Sequence, residues 1–266
     1  MSEQVVRSAV ITAEPAEALA ALLDIDPPAG HEVPPMWHTC YLLEHPATRD
    51  LGPDGHATSG IPAPPGPGLR RMFAGGRVET RYLLHHGPAT RTTRVVGRVA
   101  KQGRTGPLTF LTVRHEYAQD GRIAVVDEND LVYRGPSQSS LTSNGDEGLP
   151  SGREAHLALD VDEALLFRFS ALTYNGHRIH YDRQWCRHEG YDDLVVHGPL
   201  QALMMGELLR RNGVDLLGRR LEYRLVSPMI GPQTMHVLAS SEGVSAGAEV
   251  RTADGRRTAG SRVAPA

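Results

Sequence analysis

One order of elements occurs twice along this chain, and that repetition constrains the fold more than any other feature. Near the end of each half, two β-prone runs are joined by Asp-Gly. The first hairpin runs from Val113 to Tyr117, through Asp120-Gly121-Arg122, to Ile123 to Tyr133. The second runs from Ala248 to Arg251, through Asp254-Gly255-Arg256, to Arg257 to Val263. Asp-Gly adopts the positive φ of a tight hairpin turn, so each is a strong hairpin signal. Two more strand-like runs precede each hairpin. Arg77 to Leu84 corresponds to Leu221 to Val226, and Thr92 to Lys101 to Gln233 to Ser240. Ahead of these the second half has a helical run, Pro199 to Arg211. Pro34 to Leu43 holds the equivalent place in the first half. Proline suits the first helical turn, where its missing N–H costs nothing. Two Asp-Gly turns alone could recur by chance. The shared order of helix, strand, strand and hairpin argues for two units built on one plan.

The helix of the second half should be deeply buried. Leu200, Leu203, Met204, Met205, Leu208 and Leu209 are too many apolar positions for a helix with one covered face, and the methionines read as core filler. A second helix should open this unit over Leu165, Leu166, Phe169 and Leu172, with Asp160 as its cap and Glu163 three residues on. The domain reading is a first unit at 1–135, a polar, turn-rich linker at 136–152 and a second unit at 153–266. Gly52 to Gly68 is dense in glycine and proline. It is either a loose loop or one that packs over a substrate mouth.

Composition excludes several classes. No apolar run in the 266 residues approaches transmembrane length. The N-terminus lacks the basic and apolar regions of a secretory signal. Two cysteines, Cys40 and Cys186, make no disulfide scaffold, so a reducing cytoplasm is the expected compartment. The net charge of −3, with basic residues scattered among acids, gives no case for nucleic acid.

The chemistry concentrates between Phe169 and Leu200. Thr173-Tyr174-Asn175-Gly176-His177-Arg178-Ile179-His180 forms a short loop, the stretch after it reads as further polar and aromatic loop, and Val195-Val196-His197-Gly198-Pro199-Leu200 leads into the buried helix. An imidazole can move a proton, and backbone N–H groups at a helix start can hold a developing oxyanion. This stretch resembles the MaoC-like hydratases and dehydratases of the hot-dog fold. That family carries S-G-D-x-N-P-L-H followed by V-H-G-x-L. The variant here, with Asn175 at the aspartate position, His177 at the asparagine position and Arg178 at the proline position, is similar to one branch. It holds the mesaconyl-C4-CoA hydratases, itaconyl-CoA hydratases and type 2 hydroxyacyl-thioester dehydratases.

The resemblance implies an α+β double hot-dog, in which each unit is a helix wrapped by an antiparallel sheet. It implies a hydro-lyase acting on a thioester of coenzyme A or an acyl carrier protein, with no metal or redox cofactor, and a homodimer. His180 falls at the catalytic position. Asn175 is expected to hold water through its side-chain carbonyl, or else to shape the turn. Gly198 is expected to bind the thioester carbonyl, or else to allow close helix packing. His177 is a substrate contact or a wall residue. Arg178 fits the carboxylate of a dicarboxylic acyl group as a bidentate partner, or is a solvated loop arginine. Asp182 and Glu189 have no settled role, and His197 reads as structural. The first unit lacks a counterpart of the His180 loop and reads as a binding half. A short, branched dicarboxylic acyl-CoA is the first substrate choice. A longer-chain 3-hydroxyacyl thioester, or a non-catalytic thioester-binding subunit, is the alternative.

Overall fold

The computed structural model describes residues 3–63, 66, 68–103, 106–135 and 148–266. The first half contains β1 (Gln4–Ile11), α1 (Glu14–Leu22), the short β2 (Glu32–Val33), β3 (Arg70–Thr80), the short β4 (Leu84–His85), β5 (Gly87–Gly103), β6 (Gly106–Gln119) and β7 (Arg122–Arg134). The second contains β8 (His156–Val161), α2 (Glu163–Leu172), α3 (Arg183–Glu189), α4 (Gly198–Arg211), β9 (Arg219–Leu225), β10 (Gln233–Ser240), β11 (Gly243–Arg251) and β12 (Arg257–Pro265). Most of the expected linker, residues 136–147, lies outside the described residues.

Ten strands form one antiparallel sheet in the order β1-β5-β6-β7-β3-β9-β12-β11-β10-β8. Read outward from the centre, β3-β7-β6-β5-β1 repeats as β9-β12-β11-β10-β8, the repetition expected from the two hairpins. Both Asp-Gly turns join neighbouring strands. At the first, Asp120 and Gly121 have φ of 52° and 73°, which a hairpin with matching twist requires. The halves meet where β3 pairs with β9, from Gly75 opposite Arg224 to Glu79 opposite Arg220.

The central helix α4 is buried as its sequence demands. Every residue from Leu200 to Leu209 is buried, and Leu200, Met205, Leu208 and Leu209 are inaccessible to solvent. Even Glu207 is enclosed. Its carboxylate receives Arg210 and Arg211, at 2.5 and 2.9 Å, and the Trp37 indole N–H at 3.3 Å. That last bond ties the helix to the first half.

Three expectations need correction. Pro34 to Leu43 does not form a helix comparable to α4, because only Trp37–Cys40 coils, as a 3-10 turn. With no long helix over it, the inner face of β6 and β7 borders a cavity. The cap of α2 is Asp162, whose side chain accepts the Leu165 N–H at 2.7 Å, whereas Asp160 lies in β8 opposite Thr234. The stretch after His180 is not all loop. Asp182 caps α3 by accepting the N–H groups of Gln184 and Trp185 at 2.9 and 3.0 Å. The N-terminal β1 and α1 had no clear signal, yet they match β8 and α2 in order.

Truncating the centre of α4 should be costly, because the sheet cannot close over the space. Leu208→Ala should lower the unfolding free energy by about 2–5 kcal/mol, read from urea denaturation.

Candidate active site

The cavity has a volume of about 550 Å³, and both halves line it. The second half contributes Asn175, His177, His180, Gly198 and Pro199, and the first contributes Met36, His38, His56, Arg71, Asp127 and Asn129 among others. The Gly52–Gly68 loop therefore supplies part of the wall, through His56 and Pro62.

His180 owes its position to backbone pairing. After α2 the chain turns through Tyr174, at a left-handed φ of 50°, into the 3-10 turn Arg178–His180. The Val195 N–H donates to Ile179 O at 2.9 Å, and His180 Nδ1 lies 2.6 Å from Val195 O. A carbonyl only accepts, so Nδ1 carries the proton and Nε2 keeps its lone pair. The ring stacks on His197 at 3.6 Å between centroids and meets His177 edge-on at 5.6 Å. Burial, then the neighbouring imidazoles of His197 and His177, push the His180 pKa well below the usual imidazole value, against the pull of the Val195 bond. A neutral imidazole with a free Nε2 is a general base.

His197 caps the geometry from below. It is fully buried, its Nε2 lies 2.8 Å from Ser170 Oγ, and its ring meets Phe169 edge-on. Burial pushes its pKa down to about 3, with a smaller contribution from His177. It is structural, as its sequence context suggested, but it also supports the His180 ring.

Gly198 begins α4. A Cβ there would lie 2.5 Å from Leu225 Cδ1 and 2.8 Å from Phe73 Cδ1, so close packing alone demands glycine. The first N–H groups of a helix have no intrahelical partner. Pro199 has none to offer, so Gly198 and Leu200 provide the early donors. The positive end of the helix dipole adds to their attraction for an oxyanion.

Asn175 lines the cavity, but its side-chain oxygen accepts the His177 backbone N–H at 3.0 Å. The turn-shaping role is thus present, and the amide nitrogen is the group left to meet a water. His177 Nε2 lies 3.4 Å from Glu189 Oε1, which also accepts the Trp185 indole N–H at 2.6 Å. Glu189, which had no settled role in the sequence, orients His177. Burial opposes its ionisation, but those hydrogen bonds win and hold the carboxyl below its usual range.

Arg178 is placed elsewhere than expected. It does not line the cavity. Its guanidinium holds Asp182 Oδ2 at 2.5 Å, donates to Pro53 O at 3.0 Å and covers the Trp185 ring at 4.4 Å. That cation is used in clamping the loop. The arginines that line the cavity are Arg71 and Arg134.

The sequence did not single out Asp54 and His56, which the first half brings to the His180 loop. His56 Nδ1 lies 2.9 Å from Asp54 Oδ2, and its ring lies tilted by 39° against that of His177, 4.1 Å between centroids. The two loops touch through backbone. A Cβ on Gly55 would fall 1.9 Å from Gly176 O, and the Arg178 N–H donates to Asp54 O at 2.9 Å. Asp54, His56 and His177 also place one possible metal-ligating atom each within 4.8 Å of one another, although Asp54 already holds His56. An Asp-x-His spacing in a glycine-rich loop was the available signal. Nothing in the sequence links it to His177.

Comparison with known proteins places this geometry in a family. The sequence profile of hydroxyacyl-thioester dehydratase type 2 matches residues 36–231. The chain belongs to that family and is a hydro-lyase. It is similar to the mesaconyl-C(4)-CoA hydratase of Chloroflexus aurantiacus, at 38% identity over 90% of this chain and 88% of that one. Among solved structures, it resembles HtdX of Mycobacterium tuberculosis (TM-score 0.71, 14% identity, 99% of this chain and all of that one). It also resembles a MaoC-like dehydratase from Phytophthora capsici (TM-score 0.69, 14% identity, 99% and 95%). A third neighbour from Mycobacterium tuberculosis has a double hot-dog fold (TM-score 0.55, 14% identity, 100% and 96%). The fold is the double hot-dog.

The buried imidazoles should make stability depend on pH. An unfolded histidine titrates near about 6.5, whereas folded His180 and His197 resist protonation. The unfolded state therefore binds more protons below that value. The histidine contribution is intact above about pH 6.5 and is lost as pH falls, for His197 until its folded pKa of about 3. Each adds a slope of up to about 1.4 kcal/mol per pH unit. Urea unfolding between pH 7 and 4 should show the loss, and His197→Gln should flatten it.

Proposed function

We propose that this chain reversibly hydrates an enoyl-CoA to a 3-hydroxyacyl-CoA, with His180 as the acid–base group. The observation that carries this reading is the His180 bond to Val195 O, which leaves Nε2 as a base in the cavity where α4 begins. The thioester carbonyl accepts hydrogen bonds from the Gly198 and Leu200 N–H groups, which draws electron density from the double bond. Water, oriented by the Asn175 amide, attacks the β-carbon while His180 Nε2 takes its proton. The π pair moves to the α-carbon as an enolate, and the imidazolium returns the proton there. Dehydration reverses these steps.

The preferred substrate is a short, branched dicarboxylic thioester, mesaconyl-C4-CoA, in line with the 38% identical hydratase. In this reading the first unit, residues 1–135, is the binding half. The second, residues 153–266, carries the catalytic groups, and 136–152 joins them. Arg71 and Arg134 suit the anionic carrier, coenzyme A or acyl carrier protein. Among the described residues no helix is long and apolar enough to cross a membrane, and a cytoplasmic homodimer is the working form we assign.

His180→Ala should lower turnover of enoyl-CoA by about a hundredfold or more, followed by loss of enoyl absorbance. Mesaconyl-C4-CoA should be turned over with higher kcat/KM than crotonyl-CoA or a long-chain 2-enoyl-CoA. A preference for the long chain would favour the longer-chain dehydratase. Full activity of His180→Ala would remove the mechanism.

A further inference from the structure

The hydration chemistry leaves one polar patch of the cavity unused. His38, on the 3-10 turn, and Asp127, on β7, share one hydrogen bond, His38 Nε2 to Asp127 Oδ2 at 3.3 Å. His38 is 3% exposed. The remaining polar atom of each, His38 Nδ1 and Asp127 Oδ1, is buried without a partner. Both residues line the cavity with His115 and Asn129, amid apolar neighbours such as Met36, Val78, Val113 and Leu131. Burial opposes ionisation of Asp127, but the His38 hydrogen bond and charge, the charge of His115 and the neighbouring Asn129 amide hold its carboxyl below the usual range. Asn129 does not come within hydrogen-bond geometry of Oδ1.

Unpaired buried polar atoms are unfavourable, at roughly 1–3 kcal/mol each. An alkyl chain against them would leave both unpaired, whereas an oxygen function would satisfy them. The strand sets the direction. Asp127, Asn129 and Leu131 alternate onto one face of β7. Leu131 pairs with Phe73, whose ring lies against Gly198. Asp127 is thus four residues, or about 13 Å, along β7 from the level of the helix start. Arg134, at the C-terminal end of β7, and Arg71, which donates to Pro62 O and Ala63 O, both line the cavity. An anionic carrier suits that end and leaves the acyl group to run towards Asp127.

We propose that His38 and Asp127 form a subsite for a carboxyl group at the far end of the acyl chain. On binding, the acyl carboxylate takes up one proton from solvent and shares it with Asp127 Oδ1. Its other oxygen accepts the Nδ1–H of His38 in its cationic form, whose Nε2–H is given to Asp127 Oδ2. This specificity device lies wholly on the first unit and rests on the thioester reading of the cavity.

Binding by calorimetry to His180→Ala protein tests it without turnover. The probes are two matched pairs, mesaconyl-C4-CoA with crotonyl-CoA, and the six-carbon 2-enedioyl mono-CoA thioester with 2-hexenoyl-CoA. In at least one pair the carboxyl member should bind at least tenfold more tightly. Adding Asp127→Asn should shrink that ratio to threefold or less. His38→Leu with Asp127→Leu removes both unpaired atoms together and should bring the ratio to one or below. Equal binding within both pairs, or a ratio unchanged in these variants, would overturn the subsite. Wild-type protein that turns over none of the four thioesters would overturn the hydratase reading separately, because the binding ratio stands apart from turnover.

Discussion

The short pairing between Ile179–His180 and Val195 is the interaction on which the site depends. One backbone bond, Val195 N–H to Ile179 O, and one side-chain bond, His180 Nδ1 to Val195 O, join segments that flank α3. Together they fix the ring's tautomer and place it beside the first turn of α4. Neither bond is strong by itself, since a typical intramolecular hydrogen bond contributes about 0.5–1.5 kcal/mol. Their value is positional. The base and the helix N-terminus need a fixed relation to act on one thioester. The burial of α4 supplies the rigid end of that relation, and His197, stacked beneath His180, prevents the ring from tilting away.

The second constraint is the contact between halves. Gly55 and Gly176 let two loops approach through backbone, closer than any side chain would allow. Arg178 reinforces the contact by bonding Pro53 and Asp54 on one side and Asp182 on the other. The loop that carries His180 therefore rests on the first unit. Because that unit coils only Trp37–Cys40 where the second has all of α4, the inner face of β6 and β7 remains open to the cavity. Loss of a helix in one unit creates the room in which the other can work.

The sequence revealed the sheet because hairpins are local. Asp120-Gly121 and Asp254-Gly255 sit at the turns, and each expected strand overlaps an observed one, although Arg77 to Leu84 runs past the end of β3 at Thr80 and Leu221 to Val226 one residue past β9. It revealed the His180 loop through resemblance and the burial of α4 through its apolar positions. It failed where long-range contacts decide. Arg178 looked like a carboxylate receptor by residue type, but Asp182 and Trp185 lie within its reach in the fold. Asp160 and Asp162 are both plausible caps, and only the register of β8 with β10 separates them. His56, His38 and Asp127 reach the cavity from loops and strands remote in sequence; only His56 has a local signal, its Asp-x-His spacing, and nothing along the chain links any of the three to His180.

The most direct measurement of the central claim is the protonation state of the His180 ring, by nitrogen NMR of the imidazoles across pH, with His180→Asn used for assignment. The account predicts a proton on Nδ1, held by Val195 O, and a ring that stays neutral well below pH 6.5, in keeping with the burial that depresses its pKa. A proton on Nε2, or titration at the ordinary imidazole value, would contradict it. The base would then be blocked, or already protonated where the reaction needs it free.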